Sequence, residues 1–278
     1  MDRRRLALMV LGVVAVAVAG WWFLVRSDAP PAPDLASAVE TASEAQAAAT
    51  SASNTAPVSS TTSTTTVAGY STTASATSTA PPTTAPASTT AVSVAGPAGT
   101  WTVDTTIGSF NDFTSVWVGY RVEEVLGNGI GANTAVGRTP LVIGSVELSD
   151  DALLAVEVTA DLRGLRSDKV YRDGRARGAL HTDDHPTATF ALVGPVALVD
   201  VAGDGTSIEV VVAGTVIING VAGAVDVAVA ATLVGDVVTV VGSFPIVFAD
   251  YAIEAPSASI VVSVEDHGVV EFQLFLTR

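Results

Sequence analysis

The sequence predicts an all-β domain of antiparallel strands, and three observations support this. Most segments after residue 98 alternate large apolar residues with small or polar ones at the period of two that is typical of strands. Short groups of Gly, Asn and Asp separate these segments, as turns do. No long stretch there has the 3.6-residue period of a helix. Many short, evenly spaced strands indicate an antiparallel barrel or sandwich, and the pattern alone does not decide between the two.

The N-terminal region is predicted to be a membrane anchor that occupies residues 1–26. Residues 6–25 are continuously apolar, which at 1.5 Å per residue is enough to cross a hydrocarbon core of ~30 Å. The arginines at 3–5 keep the N-terminus cytoplasmic and place the rest of the chain outside. We therefore expect a single-pass protein of the bacterial cytoplasmic membrane with an extracytoplasmic C-terminal domain. A cleaved signal peptide, with its cleavage site near residues 17–19, is the alternative.

Residues 27–98 are predicted to be a disordered linker. They are mostly Ser, Thr, Ala and Pro, and they contain no Lys or Arg. Such a stretch has too few large apolar side chains to offset the entropy lost on folding. A flexible coil of this length has an r.m.s. end-to-end distance of ~45–50 Å, which keeps the C-terminal domain near the membrane. The Ser- and Thr-rich run at 59–66 also resembles an O-glycosylated stalk, so modification of the linker stays open.

Residues 99–278 are predicted to form one domain, which is long enough to bury a core. Its strands are rich in β-branched residues, and the region around 163–178 is the one place where helical turns are expected. Turns are predicted at 203–205, 219–220, 235–236 and 266–268. The predicted strands, in order, are Thr114–Tyr120, Ile208–Ile218, Ala224–Val234, Val237–Val241, Ile260–Val264 and Val269–Leu276.

Charge and cysteine content exclude several classes of protein. The chain has a formal net charge of −15, which disfavours a nucleic-acid partner. It has no cysteine, so no disulfide and no lipid-modified cysteine is present. Six of the nine basic residues after residue 98 lie between 163 and 177. They form either a solvated loop paired with neighbouring acidic residues or a site for one anionic group such as a lipid phosphate.

No motif of an enzyme or a metal site is convincing. The string from His181 to His185 contains His, Asp, Asp and His, which are ligands for divalent metals. Pro186 favours an extended backbone there, so one metal ion would meet only part of the set. His267 lies in a predicted turn. A Gly-x-Ser-x-Gly elbow and a phosphate-binding loop are both missing from the sequence. We predict a protein that is not an enzyme, with no catalytic residue and no metal ion.

The domain contains a succession of short motifs, namely Gly99–Asp104, Ser115–Val122, Gly144–Leu148, Thr159–Leu162, Arg172-Asp173 leading to Leu180, Pro186–Phe190 and Gly214–Val221. In order and spacing these motifs resemble the YceI-like family. The chain departs from the family pattern at Tyr120-Arg121, where a His is common, at Asn219, where a basic residue is common, and at an insertion over 127–134.

The resemblance implies a lipocalin-like antiparallel β-barrel in an exported bacterial protein. Characterised members of the family hold long isoprenoid chains, such as polyprenyl phosphates or isoprenoid quinones, in the barrel lumen. We therefore expect a membrane-tethered lipid-binding protein of the cell envelope, with an isoprenoid as its one bound molecule and no other cofactor. The alternative is a barrel filled by its own side chains that serves as a structural or protein-interaction module. Oligomeric state and protein partners stay open.

Candidate ligand-binding residues follow from the proposed lumen. Inward-facing positions on barrel strands would contact an apolar tail, and basic side chains at the mouth would contact a headgroup. Trp101 is expected to plug one end of the barrel. The large apolar candidates are Trp117, Tyr120, Phe190, Phe244, Phe248, Tyr251 and Phe272, and the basic ones are Arg163, Arg166 and Arg172.

Overall fold

The structure is a computed structural model that describes residues 29–53, 97–127, 130–198, 205–255 and 261–278. The predicted anchor at 6–25 and the greater part of the predicted linker lie outside these ranges. Within them, no helix is both long enough and apolar enough to cross a membrane.

Strands dominate the described part of the domain after residue 98. The described residues contain two α-helices, α1 at Leu35–Ser53 and α2 at Val170–Ala179. Short 3₁₀ turns occur at Leu162–Gly164 and Phe248–Tyr251. The strands are β1 Gly99–Val103, β2 Trp117–Leu126, β3 Gly131–Thr139, β4 Val142–Leu148, β5 Ala152–Asp161, β6 Arg166–Ser167, β7 Thr187–Leu192, β8 Val196–Ala197, β9 Ser207–Ile218, β10 Val221–Val234, β11 Val237–Val247, β12 Val261–Val264 and β13 His267–Thr277.

Eight antiparallel strands form a closed barrel in the order β1-β4-β5-β7-β9-β10-β11-β13, because β13 also pairs with β1. One side of β13 pairs with β11, and the other side is shared between β2 and β1. The β2–β3 hairpin extends this wall, and the short strands β6, β8 and β12 attach to β3, β5 and β2. Closure removes most free sheet edges, and the observed fold is the all-β barrel that the sequence predicts.

Tight turns between β9, β10 and β11 keep the register of this wall. Asn219 and Gly220 both have positive φ, at 52° and 74°, and they form a two-residue connection between β9 and β10. A positive φ at both central residues is the requirement of a type I′ hairpin turn, and Asn-Gly meets it. Gly235, with φ 56°, makes the matching connection between β10 and β11. The register places one alternate set of residues inside the barrel.

The prediction of disorder for residues 27–98 is wrong over Leu35–Ser53, which form α1. Asp34 caps the helix, because its carboxylate accepts a hydrogen bond of 2.9 Å from the backbone N–H of Ser37. Alanine is the strongest helix former and supplies much of this segment. Leu35, Ala38 and Ala42 follow a 3- and 4-residue spacing and face the barrel. Packing of this stripe provides the burial that the composition did not suggest.

Helix α2 lies within the basic segment at the place where helical turns were expected. The buried Asp173 carboxylate accepts hydrogen bonds from the backbone N–H and the hydroxyl of Ser167, at 2.7 and 2.6 Å. This ties the helix to the strand before it. Ala176, Ala179 and Leu180 line the interior, so α2 covers one end of the barrel. We call this the α2 end.

Candidate functional site

The barrel encloses an apolar cavity of about 330 Å³. Its wall is made by inward-facing residues of the ring strands, with Val212, Val216 and Val227 buried along β9 and β10. This volume lies in the range of known small-molecule sites, roughly 300–1,000 Å³. The lumen is therefore open, and the filled barrel that the structural alternative requires is not observed.

Aromatic rings on the wall lie against inward-facing glycines of neighbouring strands. A Cβ at Gly214 would lie 2.2 Å from Cε2 of Phe190, and a Cβ at Gly242 would lie 2.4 Å from Cζ of Phe272. The missing Cβ atoms thus make space for the two rings at the wall. The rings occupy space that glycine leaves free, and the centre of the lumen stays open.

Tyr120 brings a polar group into this apolar wall. Its ring lies against Gly137, where a Cβ would be 2.5 Å from Cε1 of the tyrosine. Burial raises the pKa of Tyr120 to about 12, although the nearby Arg172 cation opposes the shift. The phenol is therefore protonated at neutral pH. Within the described residues its hydroxyl makes no hydrogen bond, so a donor faces the cavity region unused.

Arg172 and Glu124 form a buried ion pair at the α2 end of the cavity. Nη2 of Arg172 lies 2.8 Å from Oε1 of Glu124, and the two side chains are 13% and 8% exposed. Asn133 donates a hydrogen bond of 2.7 Å to the same oxygen, and Asp168 also pairs with Arg172. The arginine is thus shared by two carboxylates, and Nζ of Lys169 lies 3.5 Å from the Asp168 carboxylate, so the charges of this group balance. It fastens the start of α2 to the β2–β3 hairpin.

Trp101 closes the opposite end, as expected. It is 2% exposed and packs with Val146, Leu153 and Leu276. Its indole Nε1 donates a hydrogen bond of 2.8 Å to the carbonyl oxygen of Pro97, which lines the cavity. The polar and charged groups described above, Tyr120, Arg172 and Glu124, lie toward the α2 end.

Of the ten predicted site residues, the cavity brings together six. They sit on inward positions of four strands, on the turn after β11 and on α2. These six are Tyr120, Phe190, Phe244, Phe248, Phe272 and Arg172. Trp117, Tyr251, Arg163 and Arg166 do not line it.

Trp117 was placed in the lumen, but it faces the outside of the barrel. Val118 and Tyr120 face inward, and the two-residue period of β2 puts Trp117 on the other face. There the guanidinium of Arg138 stacks over its ring at 3.8 Å, and its Nε1 donates a hydrogen bond of 3.2 Å to the carbonyl of Phe113. The ring is buried under a loop on this outer face. A large apolar side chain suits either buried face, and for this reason the sequence analysis placed Trp117 in the lumen.

The other three misplaced residues lie at the ends or on the surface. Tyr251 is buried in the 3₁₀ turn after β11, where its ring lies against Gly223 and closes the barrel end. Arg163 is exposed and pairs with Asp161 at 2.5 Å, which lowers the pKa of that carboxyl. Arg166 is also exposed, with its guanidinium 5.9 Å from the ring centre of Phe110. None of these three is positioned to contact a ligand in the lumen.

Glu124 and Asn133 are site residues that the sequence analysis missed. Glu124 lies two and four residues after Val122 and Tyr120, so the strand period assigns all three to one face. The adjacent Glu123 lies on the opposite, exposed face of β2. The two-residue period of β2 could have identified Glu124 as inward-facing, because Glu124 lies on the same strand face as Tyr120.

The histidines make local structural contacts. Nδ1 of His181 lies 3.1 Å from Oδ1 of Asn219, whose amide nitrogen donates to the carbonyls of Tyr251 and Ala252. This network ties the end of α2 to two turns. His267 is exposed beside Asp266, at 2.9 Å, and that hydrogen bond raises its pKa.

Comparison with known proteins agrees with the geometry. The model of the YceI-like domain matches residues 100–276. The chain belongs to the YceI-like family. A polyisoprenoid-binding domain from Saccharophagus degradans, implicated in plant cell wall breakdown, has the same fold, with 20% identity, a TM-score of 0.50 and coverage of 64% of this chain and 97% of that one.

Two further solved structures are more distant. BcnA from Burkholderia cenocepacia is 18% identical, with a TM-score of 0.43 and coverage of 57% of this chain and 95% of its own. The YCEI protein of Campylobacter jejuni is 11% identical, with a TM-score of 0.40 and coverage of 51% and 84%. No curated protein matches the chain.

Proposed function

We propose that this protein binds an isoprenoid lipid and holds its tail in the barrel lumen. The observation that carries the proposal is the open apolar cavity, whose wall contains glycines where side chains would otherwise fill it. Each CH₂-sized group of a prenyl tail that leaves water contributes about 0.8 kcal/mol to the free energy of binding. A long apolar site is therefore needed to bind such a tail. The family and the polyisoprenoid-binding domain of like fold support the same ligand class.

The polar end of the cavity favours a neutral headgroup, such as an isoprenoid quinone, over a polyprenyl phosphate. Tyr120 offers an unused hydroxyl donor that suits a carbonyl oxygen. The cation of Arg172 is already paired with the carboxylates of Glu124 and Asp168. A phosphate placed there would have to compete with these two carboxylates for the arginine, whereas a neutral headgroup would leave the ion pairs intact.

The protein is proposed to act outside the cytoplasmic membrane, attached through the apolar run at 6–25. Support comes from the run's length and from the arginines before it. Anchoring would bring the barrel to the membrane that contains its ligand.

Native mass spectrometry of the purified full chain, with extraction and identification of bound lipid, tests the proposal. We expect a prenyl quinone at about one molecule per chain. Val229→Phe narrows the lumen and should abolish the adduct, whereas Ala228→Phe, on the exposed outer face of the same strand, should retain it. An empty wild-type chain that also fails to take up added quinone and polyprenyl phosphate would overturn the proposal. Selective uptake of the phosphate would overturn the headgroup assignment alone.

A further inference from the structure

We infer that residues 29–53 are a strap that fastens to the outer wall of the barrel and holds its α2 end against a lipid surface. The inference depends on the proposed membrane anchor and not on the proposed ligand. With the strap docked, the connection between the anchor and the barrel is short and has a fixed direction, in contrast to the long flexible linker predicted for residues 27–98.

The helical part of the strap is packed into the outer wall. Ala38 and Ala42 are 1% and 0% exposed and pack in one cluster with Val241 and Phe275. Small side chains allow the helix backbone to come close to the strands. This helix of about five turns has a buried stripe and forms part of the folded domain, since a helix of this composition would be marginal alone in water.

The N-terminal part of the strap completes a buried ionic group. Glu271 pairs with Arg121 at 2.7 Å and with Arg138 at 3.9 Å, and the side chains of Glu271 and Arg138 are 4% and 3% exposed. The carbonyl oxygens of Pro30 and Pro31 accept hydrogen bonds from Arg121 and Arg138, respectively. Buried guanidinium groups need such partners, so the strap is held by charged hydrogen bonds as well as by packing.

The strap has a defined direction along β13. Pro30 contacts the ion pair at Glu271, the middle of α1 packs near Phe275, and Gln46 reaches the β10–β11 turn, where a Cβ at Gly235 would lie 3.0 Å from its amide nitrogen. The N-terminus of the strap is therefore the end nearer to the start of β13. That is the α2 end of the barrel, where Phe248 and Leu180 close the cavity.

The chain between the predicted anchor and the strap is short. The apolar run ends at residue 25, and the strap is fixed at Pro30. Residues 26–29 extend at most ~13–14 Å at 3.3–3.6 Å per residue. A linker of this length keeps the strap's N-terminus, and hence the α2 end, next to the bilayer.

The α2 end also presents apolar side chains that suit a lipid surface. Val170 at the start of α2 is 86% exposed, and Val262 in β12 is 69% exposed. Val125 and Val247, on the strands beside β12 and β13, are also exposed. Exposed basic side chains of the α2 segment, such as Lys169, lie at this end together with the acidic Glu265 and Asp266 of the β12–β13 turn, so charges of both signs suit a zwitterionic surface.

A fluorescence-quenching experiment on the full chain tests the orientation. The protein contains no cysteine, so Val262→Cys and Asp236→Cys each give one site for a fluorophore, at the α2 end and the opposite end. In phosphatidylcholine vesicles that contain spin-labelled lipid headgroups, we expect severalfold stronger quenching at 262.

Variants of the strap separate its role from that of the anchor. Ala42→Asp places a charge in the packed helix face and should equalise quenching at the two positions, whereas Ala47→Asp, on the exposed face, should leave the difference intact. Equal quenching at positions 262 and 236 in labelled chains with an unchanged strap would overturn the inference and leave the proposed anchor intact. A chain that does not stay in the vesicles would overturn the anchor and the inference together. Neither outcome bears on lipid content, which mass spectrometry measures separately.

Discussion

The wall formed by β2 and β13 has two faces that differ in chemistry although both are buried. Tyr120 and Phe272 face an open apolar lumen, whereas Arg121 and Glu271 face outward and form an ion pair under the strap. The same period-two alternation produces both environments. Burial alone therefore does not identify the ligand side of this barrel. The open cavity identifies the inner face as the ligand side. The ion pairs lie on the outer face, where the strap of the same chain packs.

The largest expected effect comes from breaking the ionic group on the outer face. Glu271→Ala leaves Arg121 and Arg138 without their carboxylate in a buried site, and we expect the free energy of unfolding to fall by about 3–5 kcal/mol. Urea denaturation of the full chain measures it. Glu265→Ala, at an exposed turn, is the matched control and should change stability by less than about 0.5 kcal/mol. A loss below 1 kcal/mol for Glu271→Ala would contradict the assigned role of the outer face.

A smaller effect is expected from the inner face. Gly242→Ala brings a Cβ within 2.4 Å of Phe272 and moves that ring into the lumen. We expect a loss of about 1–3 kcal/mol in stability and a marked loss of bound lipid. Gly178→Ala, on α2, where no atom lies within 4 Å of the new Cβ, should keep both. Full lipid occupancy in Gly242→Ala would show that the glycine does not set the lumen.

The cap of the strap helix gives a local effect on the outer face. Asp34→Ala removes the acceptor for the Ser37 N–H, and we expect a loss of about 1 kcal/mol. Hydrogen exchange should rise in the first turns of α1 and stay unchanged in β9–β10. The hydrogen bonds to Ser37 lower the pKa of Asp34, so this contribution is present above its ordinary value of 3.8 and is lost as the pH falls below it. Ser43→Ala, at an exposed position, serves as the control, and equal exchange in both variants would contradict the cap.

The smallest effect is expected at Tyr120 and only at high pH. Its pKa in the folded state is about 12, above the ordinary 10.0, so the folded protein retains a proton that the unfolded chain loses. The stabilisation is complete below pH 10 and is lost as the pH rises through 12. Phenolate absorbance should show one tyrosine fewer titrating near pH 12 in Tyr120→Phe than in the wild type, since burial also raises the pKa of Tyr251 in both proteins. A Tyr120 that ionises near pH 10 would mean that its ring is exposed to water.

The fold was largely predictable, because alternation and turn residues are local signals. The Asn219-Gly220 turn and the inward positions of Phe190 and Phe244 follow from them. The face of Trp117 did not follow, since a large apolar residue suits either buried face and the covering loop is a tertiary feature. The strap was missed because its alanines were counted with serine and threonine as linker composition. Its burial depends on Phe275, which is distant in sequence.

Docking of the strap also changes what a protease would accomplish. The segment 54–96 joins α1 to β1, and the strap is already held on the barrel by packing against Val241 and Phe275 and by hydrogen bonds from Arg121 and Arg138. Cleavage within that segment is therefore expected to leave a two-piece protein whose fragments stay together, in the manner of a split protein that has already assembled. Release of the barrel from its N-terminal fragment would require the strap to unfold first.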